Sequence, residues 1–357
     1  MSREDRGAVQ DSRVRLFDAH CDAPMKVVDD GADFTREDAP MHVTLPGLEA
    51  AGVRVQVFAS CAVYPDTPPD RVVERGLAMI SAVWEMAASS AGRMTVATTA
   101  SDVHRAMAGG PIAAVIALEG ADPLEGKADN LRELAERGVR SVVFAWKDNQ
   151  FSGTAFGTNS PLTREGLRLL GLAEELGVIV DVSHLSDRAF ADVCRASTRP
   201  FIASHSNCRA ICPHPRNLTD AMIRDLADRG GVMGINLAPH FLSEEAMAAH
   251  AALRAEWAAK ADNPATRAEL AVRRRALPRP DLEDVVRHVV HAMKVGGEDV
   301  VGLGGDLDGV EALPKGVEGV ADYLKLAPLF RRTGLSERQV ERVCHANFAR
   351  IVEDVLG

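Results

Sequence analysis

An α/β fold, a (β/α)8 barrel of the TIM type with a helical insertion after its seventh strand, is predicted by three observations. Eight short apolar runs alternate with stretches whose apolar residues recur at helical spacing, the order of a parallel sheet wrapped by helices. Polar residues able to bind a metal follow several of those runs. With 357 residues, 46% of them hydrophobic, the chain can bury one large core. No composition shift marks a second domain, so residues 1–357 are read as a single barrel domain.

The first run, Arg13 to Ala19, ends in His20 and Asp22, and Val53 to Ala59 is the second. Asp70 to Ala88 follows with helical periodicity. Ala113 to Leu118 is apolar throughout, as a strand buried on both faces should be, and stops at Glu119. A helix near Asn130 to Arg137 precedes the strand Val139 to Ala145. Thr163 starts a helix that reaches Leu176, Gly177 stops it, and Val178 to Val182 leads into His184. The helix from Ser186 through Cys194 gives way to Phe201–Ser204, which delivers His205. Thr219 to Asp228 is a helix, Gly231 to Leu237 a strand, and Asp281 to Val295 a helix before the eighth strand, Val300 to Gly304. Met94 to Thr98 could add a ninth short strand.

An open doubly wound sheet is the alternative. It would leave the ends of its first and last strands far apart, whereas a barrel gathers every strand end around one mouth. Within the fold, Ser243 to Arg275 is rich in Ala, Glu and Arg, with a break at Asn263-Pro264 and a stiff exit at Leu277-Pro278-Arg279-Pro280. It reads as a lid, an oligomer contact or a surface helical hairpin.

A net charge of −10 argues against a nucleic-acid surface, and Arg273-Arg274-Arg275 reads as a solvated helix face. No apolar run reaches membrane-spanning length, and Met1 to Arg6 is charged without a signal-peptide core, so a soluble, cytoplasmic protein is expected. Six cysteines are too sparse for a disulfide scaffold, and Cys208 and Cys212 read as buried thiols.

His20 and Asp22, two residues apart at a strand end, point to the same side and can share an ion while Cys21 turns away. His184 and His205 could hold a second ion, with Glu119 bridging both and a hydroxide between them, because a bridging carboxylate offsets the repulsion of two cations. Asp306 would carry the proton, with Asp308 as its competitor. Asp181 is either an outer support of His184 or an ordinary paired carboxylate. His288 and His291 sit on a helix away from the mouth, and His42, His104, His214, His240, His250 and His345 lack converging partners, so none of these is assigned a ligand role.

The segments Asp18-Ala19-His20-Cys21-Asp22-Ala23-Pro24, Ala117-Leu118-Glu119-Gly120, Asp181-Val182-Ser183-His184, Ser204-His205-Ser206, Arg216-Asn217 and Gly304-Gly305-Asp306-Leu307-Asp308-Gly309 resemble the membrane (renal) dipeptidase family, peptidase family M19. That family lies within the metal-dependent amidohydrolase superfamily, and the resemblance runs along nearly the whole chain in order. It implies a (β/α)8 barrel with two zinc ions that hydrolyses dipeptides, L-Xaa-L-Xaa or L-Xaa-D-Xaa, and a homodimer. By position it implies that His20 and Asp22 bind one zinc and His184 and His205 the other, with Glu119 as bridge. Asp306 would be the proton carrier, and Arg216 would hold the substrate carboxylate through its planar fork. Trp146, Asn149 and Phe241 fall in regions that would face the substrate.

Two positions depart from the family pattern. Trp146 stands where the better-known dipeptidases carry a histidine, and an indole N–H can donate a hydrogen bond but cannot become cationic. Cys21 replaces an asparagine. Trp146 keeps open a related two-metal amidohydrolase acting on another amide, a lactone or a peptide-derived metabolite; a non-catalytic binding barrel is the third reading.

Overall fold

In the computed structural model, residues 14–64, 67–258, 260 and 264–357 are described. Arg13, the charged segment Met1 to Arg6 and Asn263 lie outside the described residues. Among the described residues there are nine strands: β1 Leu16–Cys21, β2 Val53–Ser60, β3 Met94–Val96, β4 Ile112–Glu119, β5 Val139–Val143, β6 Ile179–Asp181, β7 Ile202–Ala203, β8 Val232–Ile235 and β9 Val301–Leu303. All pairings are parallel, and β2 pairs with both β1 and β4, which closes an eight-stranded barrel from which β3 is left out. β3 pairs with Ile112, Ala113 and Ala114 of β4, and β5 pairs with Ile116 to Glu119. Met94–Val96 is therefore the ninth strand, an outlying one, and the open-sheet alternative is excluded.

Alternation sets what faces the barrel axis. Phe17 and Ala19, Val55 and Val57, Ala113, Val115 and Ala117, Ile179, Ile202 and Val232 form one buried cluster with Phe348, Ile351, Val352 and Val355 of the terminal helix Asn347–Leu356. That helix plugs the end opposite the mouth. Continuing the period of two along β4 brings Glu119 inward at its last residue. In β1 the register against β2 slips between Asp18 and Cys21. The slip passes the inward direction from Ala19 to His20 and Asp22, the re-aiming that bulges provide beside sites.

The insertion consists of the helices Glu244–Trp257 and Pro264–Arg275, preceded by the short helix Pro239–Leu242. Ser243 caps the first of them by accepting from Ala246 N–H. Arg273 and Arg275 are exposed, but Arg274 is half-buried and pairs with Glu311 on the loop after β9. The basic cluster is thus anchored to the barrel mouth at its centre instead of being wholly solvated.

A candidate metal centre at the barrel mouth

His20, Asp22, Glu119, His184, His205 and Asp306, drawn from five strand ends, meet in one place. Ligand-capable atoms approach within 4.8 Å in three overlapping groups: His20, His205 and Asp306; Glu119, His184 and His205; and His20, Asp22 and Glu119. Glu119 Oε1 lies at the centre, 2.9 Å from His184 Nε2, 3.4 Å from His205 Nε2 and 3.6 Å from His20 Nε2. His20 Nε2 is also 3.6 Å from Asp22 Oδ2. His184 Nε2 and His205 Nε2 are 2.8 Å apart.

Local structure explains the aim of each group. Asp181 Oδ1 accepts from the N–H groups of Ser183 (2.9 Å) and Ser204 (3.0 Å), so one buried carboxylate fixes the backbone just ahead of both histidines. Ser204 Oγ meets His205 Nδ1 at 2.7 Å, which turns Nε2 toward Glu119. The loop after β9 is bolted to β1: Asp306 N–H donates to His20 O at 3.1 Å and Asp22 N–H to Leu307 O at 2.8 Å. Buried Asp18 accepts from Gly305 N–H (2.9 Å) and from Tyr323 (3.2 Å). Only glycine fits at 305, where a Cβ would collide with Tyr323 Oη. His184, Asp306 and Asp308 all have positive φ, 67°, 59° and 68°, a strained conformation that such packing has to hold in place.

The electrostatics ask for positive charge. Burial opposes a charge on His20, yet Glu119 and Asp22 outweigh it and hold the imidazole well above its ordinary pKa. Glu119 is pushed up by burial but drawn well below the carboxylate range by His20, with His184 and His205 adding to the pull. Burial, and then Glu119, raise Asp22 far above its usual value. Burial lowers His184 to about 4 and takes His205 well below the normal range. Asp306 is raised to about 6, chiefly by burial. His20 Nε2 and Asp22 Oδ1 are buried without a hydrogen-bond partner. Three inward carboxylates, three imidazoles and two orphaned donor atoms are the set that divalent cations satisfy.

Around this centre lie the remaining sequence candidates. Arg216 is buried; its Nη groups donate to Ser206 Oγ and His205 O, both at 3.2 Å, while Nε has no partner. Phe241 lies 5.6 Å from its guanidinium carbon. Trp146 packs between Tyr64 (5.2 Å) and His184 (6.1 Å). Asn149 donates to Asp122 Oδ2 and Phe144 O and accepts from the N–H groups of Phe151 and Ser152, so a substrate contact there would have to displace one of these bonds. Asp308 accepts from the N–H groups of His42 and Val43 and is committed to that latch.

Some members of the site went unnoticed in the sequence. Cys61 follows β2 with its thiol against Glu119; burial, then Glu119 and Asp22, keep it protonated. Asn236, one residue beyond β8, donates from Nδ2 to Asp306 Oδ2 at 2.8 Å. The strand-end rule that found the other polar groups applies equally to Asn236. His214 and His240 pack at a tilt against Phe241 at 4.6 and 4.1 Å, and His250 of the insertion stacks on His240 at 4.1 Å. Sequence spacing alone offered no signal for that grouping.

The model of the family described as membrane dipeptidase (peptidase family M19) matches residues 7–356. An uncharacterised protein from the pqqA 5′ region of Klebsiella pneumoniae is 31% identical over 279 residues, covering 76% of this chain and 92% of its own length. Among solved structures, dipeptidase AC, a metallopeptidase of family M19, superposes with a TM-score of 0.82 at 27% identity, covering 97% of this chain and 99% of that one. A metallopeptidase from Rhodobacter sphaeroides, liganded with a phosphinate mimic of the dipeptide L-Ala-D-Ala, gives a TM-score of 0.81 at 26% identity, covering 96% of this chain and all of that one.

Proposed function

The chain belongs to the membrane dipeptidase family, peptidase family M19, and is a peptide-bond hydrolase; on that premise we propose that it cleaves dipeptides, L-Xaa-L-Xaa or L-Xaa-D-Xaa, at a centre of two zinc ions. The observation that carries this reading is the convergence of six metal- and proton-competent side chains beside a buried arginine whose Nε lacks a partner. The inhibitor held by the Rhodobacter sphaeroides neighbour, a mimic of a dipeptide ending in a D-residue, supports the substrate class.

His20 and Asp22 would hold one ion, His184 and His205 the other, and Glu119 both. Divalent ions there supply a polarised carbonyl and a water whose pKa falls toward ~7. Arg216 binds the terminal carboxylate through Nε–H and its remaining Nη–H, a charge-assisted contact strengthened by burial. Burial lowers its own pKa to about 10, so it stays cationic at neutral pH. Asp306 takes the proton from the attacking water and passes it to the leaving amine. Trp146 packs beside His184 and Phe241 beside Arg216, which sets apolar rings next to the reacting groups.

A second reading is favoured by Trp146, whose indole at the mouth cannot supply the cationic partner a histidine there could: a related amidohydrolase acting on another amide, a lactone or a peptide-derived metabolite. A library of L,L and L,D dipeptides assayed on zinc-loaded protein decides between them. Turnover of a subset is expected; full metal occupancy with no turnover of any dipeptide would favour the second reading. Asp306→Asn should retain metal yet lose about 10²–10⁴-fold in kcat, and undiminished turnover would remove Asp306 from the role.

A further inference from the structure

We propose that Asn236 is a positioning residue for the hydrolytic reaction: it holds Asp306 by Oδ2 and thereby leaves Oδ1 as the oxygen that takes up and releases the proton. The inference rests on the proton-carrying role of Asp306 proposed above.

The amide of Asn236 has no freedom to turn over. Its Oδ1 accepts from Ala238 N–H at 2.7 Å, so Nδ2 must face the other way, toward Asp306 Oδ2 at 2.8 Å. The side chain is fully buried, and its own backbone is clamped at both ends by Asn207. Asn236 N–H donates to Asn207 Oδ1 (2.9 Å), and Asn207 Nδ2 donates back to Asn236 O (3.0 Å). The same Asn207 amide donates to Phe241 O, as does Asn217, the residue after Arg216. Asn236 is therefore fixed in a buried asparagine framework that also sets the loop bearing Arg216.

This matters because a carboxyl group turns easily about its last torsion, which has a broad, nearly two-fold profile. The oxygens of the ionised group are equivalent, but once one of them has taken the proton their exchange by a half-turn would carry that proton away from the leaving amine and set its O–H against the Asn236 N–H. A donor locked on Oδ2 removes that exchange. It can only be a donor, since the acceptor end of the amide is occupied by Ala238.

Asn236→Asp tests the idea, because it preserves the side-chain shape and the acceptor for Ala238 N–H while replacing the donor to Asp306 with a carboxyl oxygen, and Asn236→Ala, which removes the donor without adding a charge, is read beside it. In zinc-loaded protein, kcat on the best dipeptide of the library should fall roughly 10–100-fold, in line with the cost of a small misplacement of a reacting group. KM and the zinc content measured by titration should stay near the parent's. In an Asp306→Asn background the same change should bring no further loss. Parental kcat in Asn236→Asp, or an equal fold loss in both backgrounds, would overturn the proposal. If Asn236→Asp does not fold, Asn236→Ala alone decides, against the same two backgrounds with the same outcomes. Full turnover by Asp306→Asn alone would instead overturn the proton-carrying role on which the inference rests, so the two failures are distinct.

Discussion

Two buried sets of histidine differ in what their nitrogens meet. At the mouth, His20 Nε2 has no hydrogen-bond partner, and His184 Nε2 and His205 Nε2 face each other and Glu119. On the flank, in the helix Leu282–Gly296, His288 Nδ1 accepts from Cys208 N–H at 3.0 Å and its Nε2 lies 3.0 Å from Leu242 O. Burial does not separate them, since His205 and His288 are both fully buried. Nor does the direction of the pKa shift separate His205 from His288, since burial lowers both. The partners do. Two backbone partners make a histidine a bolt between segments, whereas imidazoles aimed at one another and at carboxylates form a group that could hold a cation.

The hardest test of that distinction is Glu119→Gln. The amide keeps the shape of the side chain and removes the charge on which three imidazoles converge. Zinc stoichiometry should drop, and kcat/KM should fall by about 10³-fold or more, the several kcal/mol that a metal centre contributes to transition-state stabilisation. Elemental analysis alongside steady-state kinetics measures both. A Glu119→Gln protein with normal metal content and turnover would mean the mouth histidines are bolts as well.

How far the sequence foretold this contrast depends on the range of the interactions. Strand ends were legible because alternation and apolar runs are local: Glu119 follows β4 in phase, and His205 follows a run ending at Ser204. His288 could be set aside because its helix lies away from the mouth, but its two backbone partners, 80 and 46 residues distant, have no signature in sequence. The register slip in β1, the reach of Asp181 beyond the His184 segment to that of His205, and the Asn236 donor to Asp306 were hidden for the same reason. Each joins segments that only the pairing of neighbouring strands brings together. The helices Ala23–Asp30 and Leu45–Ala51, and the final run of helices from Leu326 onward, fall outside the strand–helix alternation that leads to the eighth strand and so lie beyond what that pattern foretells.

A middle-sized effect belongs to the flank. His288→Leu leaves Cys208 N–H and Leu242 C=O buried without partners, which should cost on the order of 2–4 kcal/mol in urea unfolding. Zinc content should remain normal. The pH dependence sharpens the point. Burial depresses His288 from its ordinary 6.5 to about 4, so the folded state favours the neutral ring while the unfolded chain takes up a proton more readily. Its stabilising effect is complete above about pH 6.5 and is lost as pH falls through about 4. The parent should therefore lose more stability than His288→Leu across that interval, and the difference between the two curves isolates this residue from the other buried histidines. Parallel curves would show that His288 does not titrate as a backbone-bonded neutral ring.

The smallest effect should come from a histidine of a third kind. His104 Nε2 lies 2.7 Å from Glu353 Oε1 and joins the helices Ala100–Met107 and Asn347–Leu356, but both side chains are more than half exposed. Water already solvates both side chains, and ordering two mobile groups offsets most of the attraction. His104→Ala should shift the urea unfolding free energy by less than about 1 kcal/mol, and added salt should erase even that. The short distance alone would rank this contact with those at the mouth. A loss above about 2 kcal/mol would mean that distance, and not the surroundings of the nitrogen, decides what a histidine contributes here, and the contrast between mouth and flank would then need another cause.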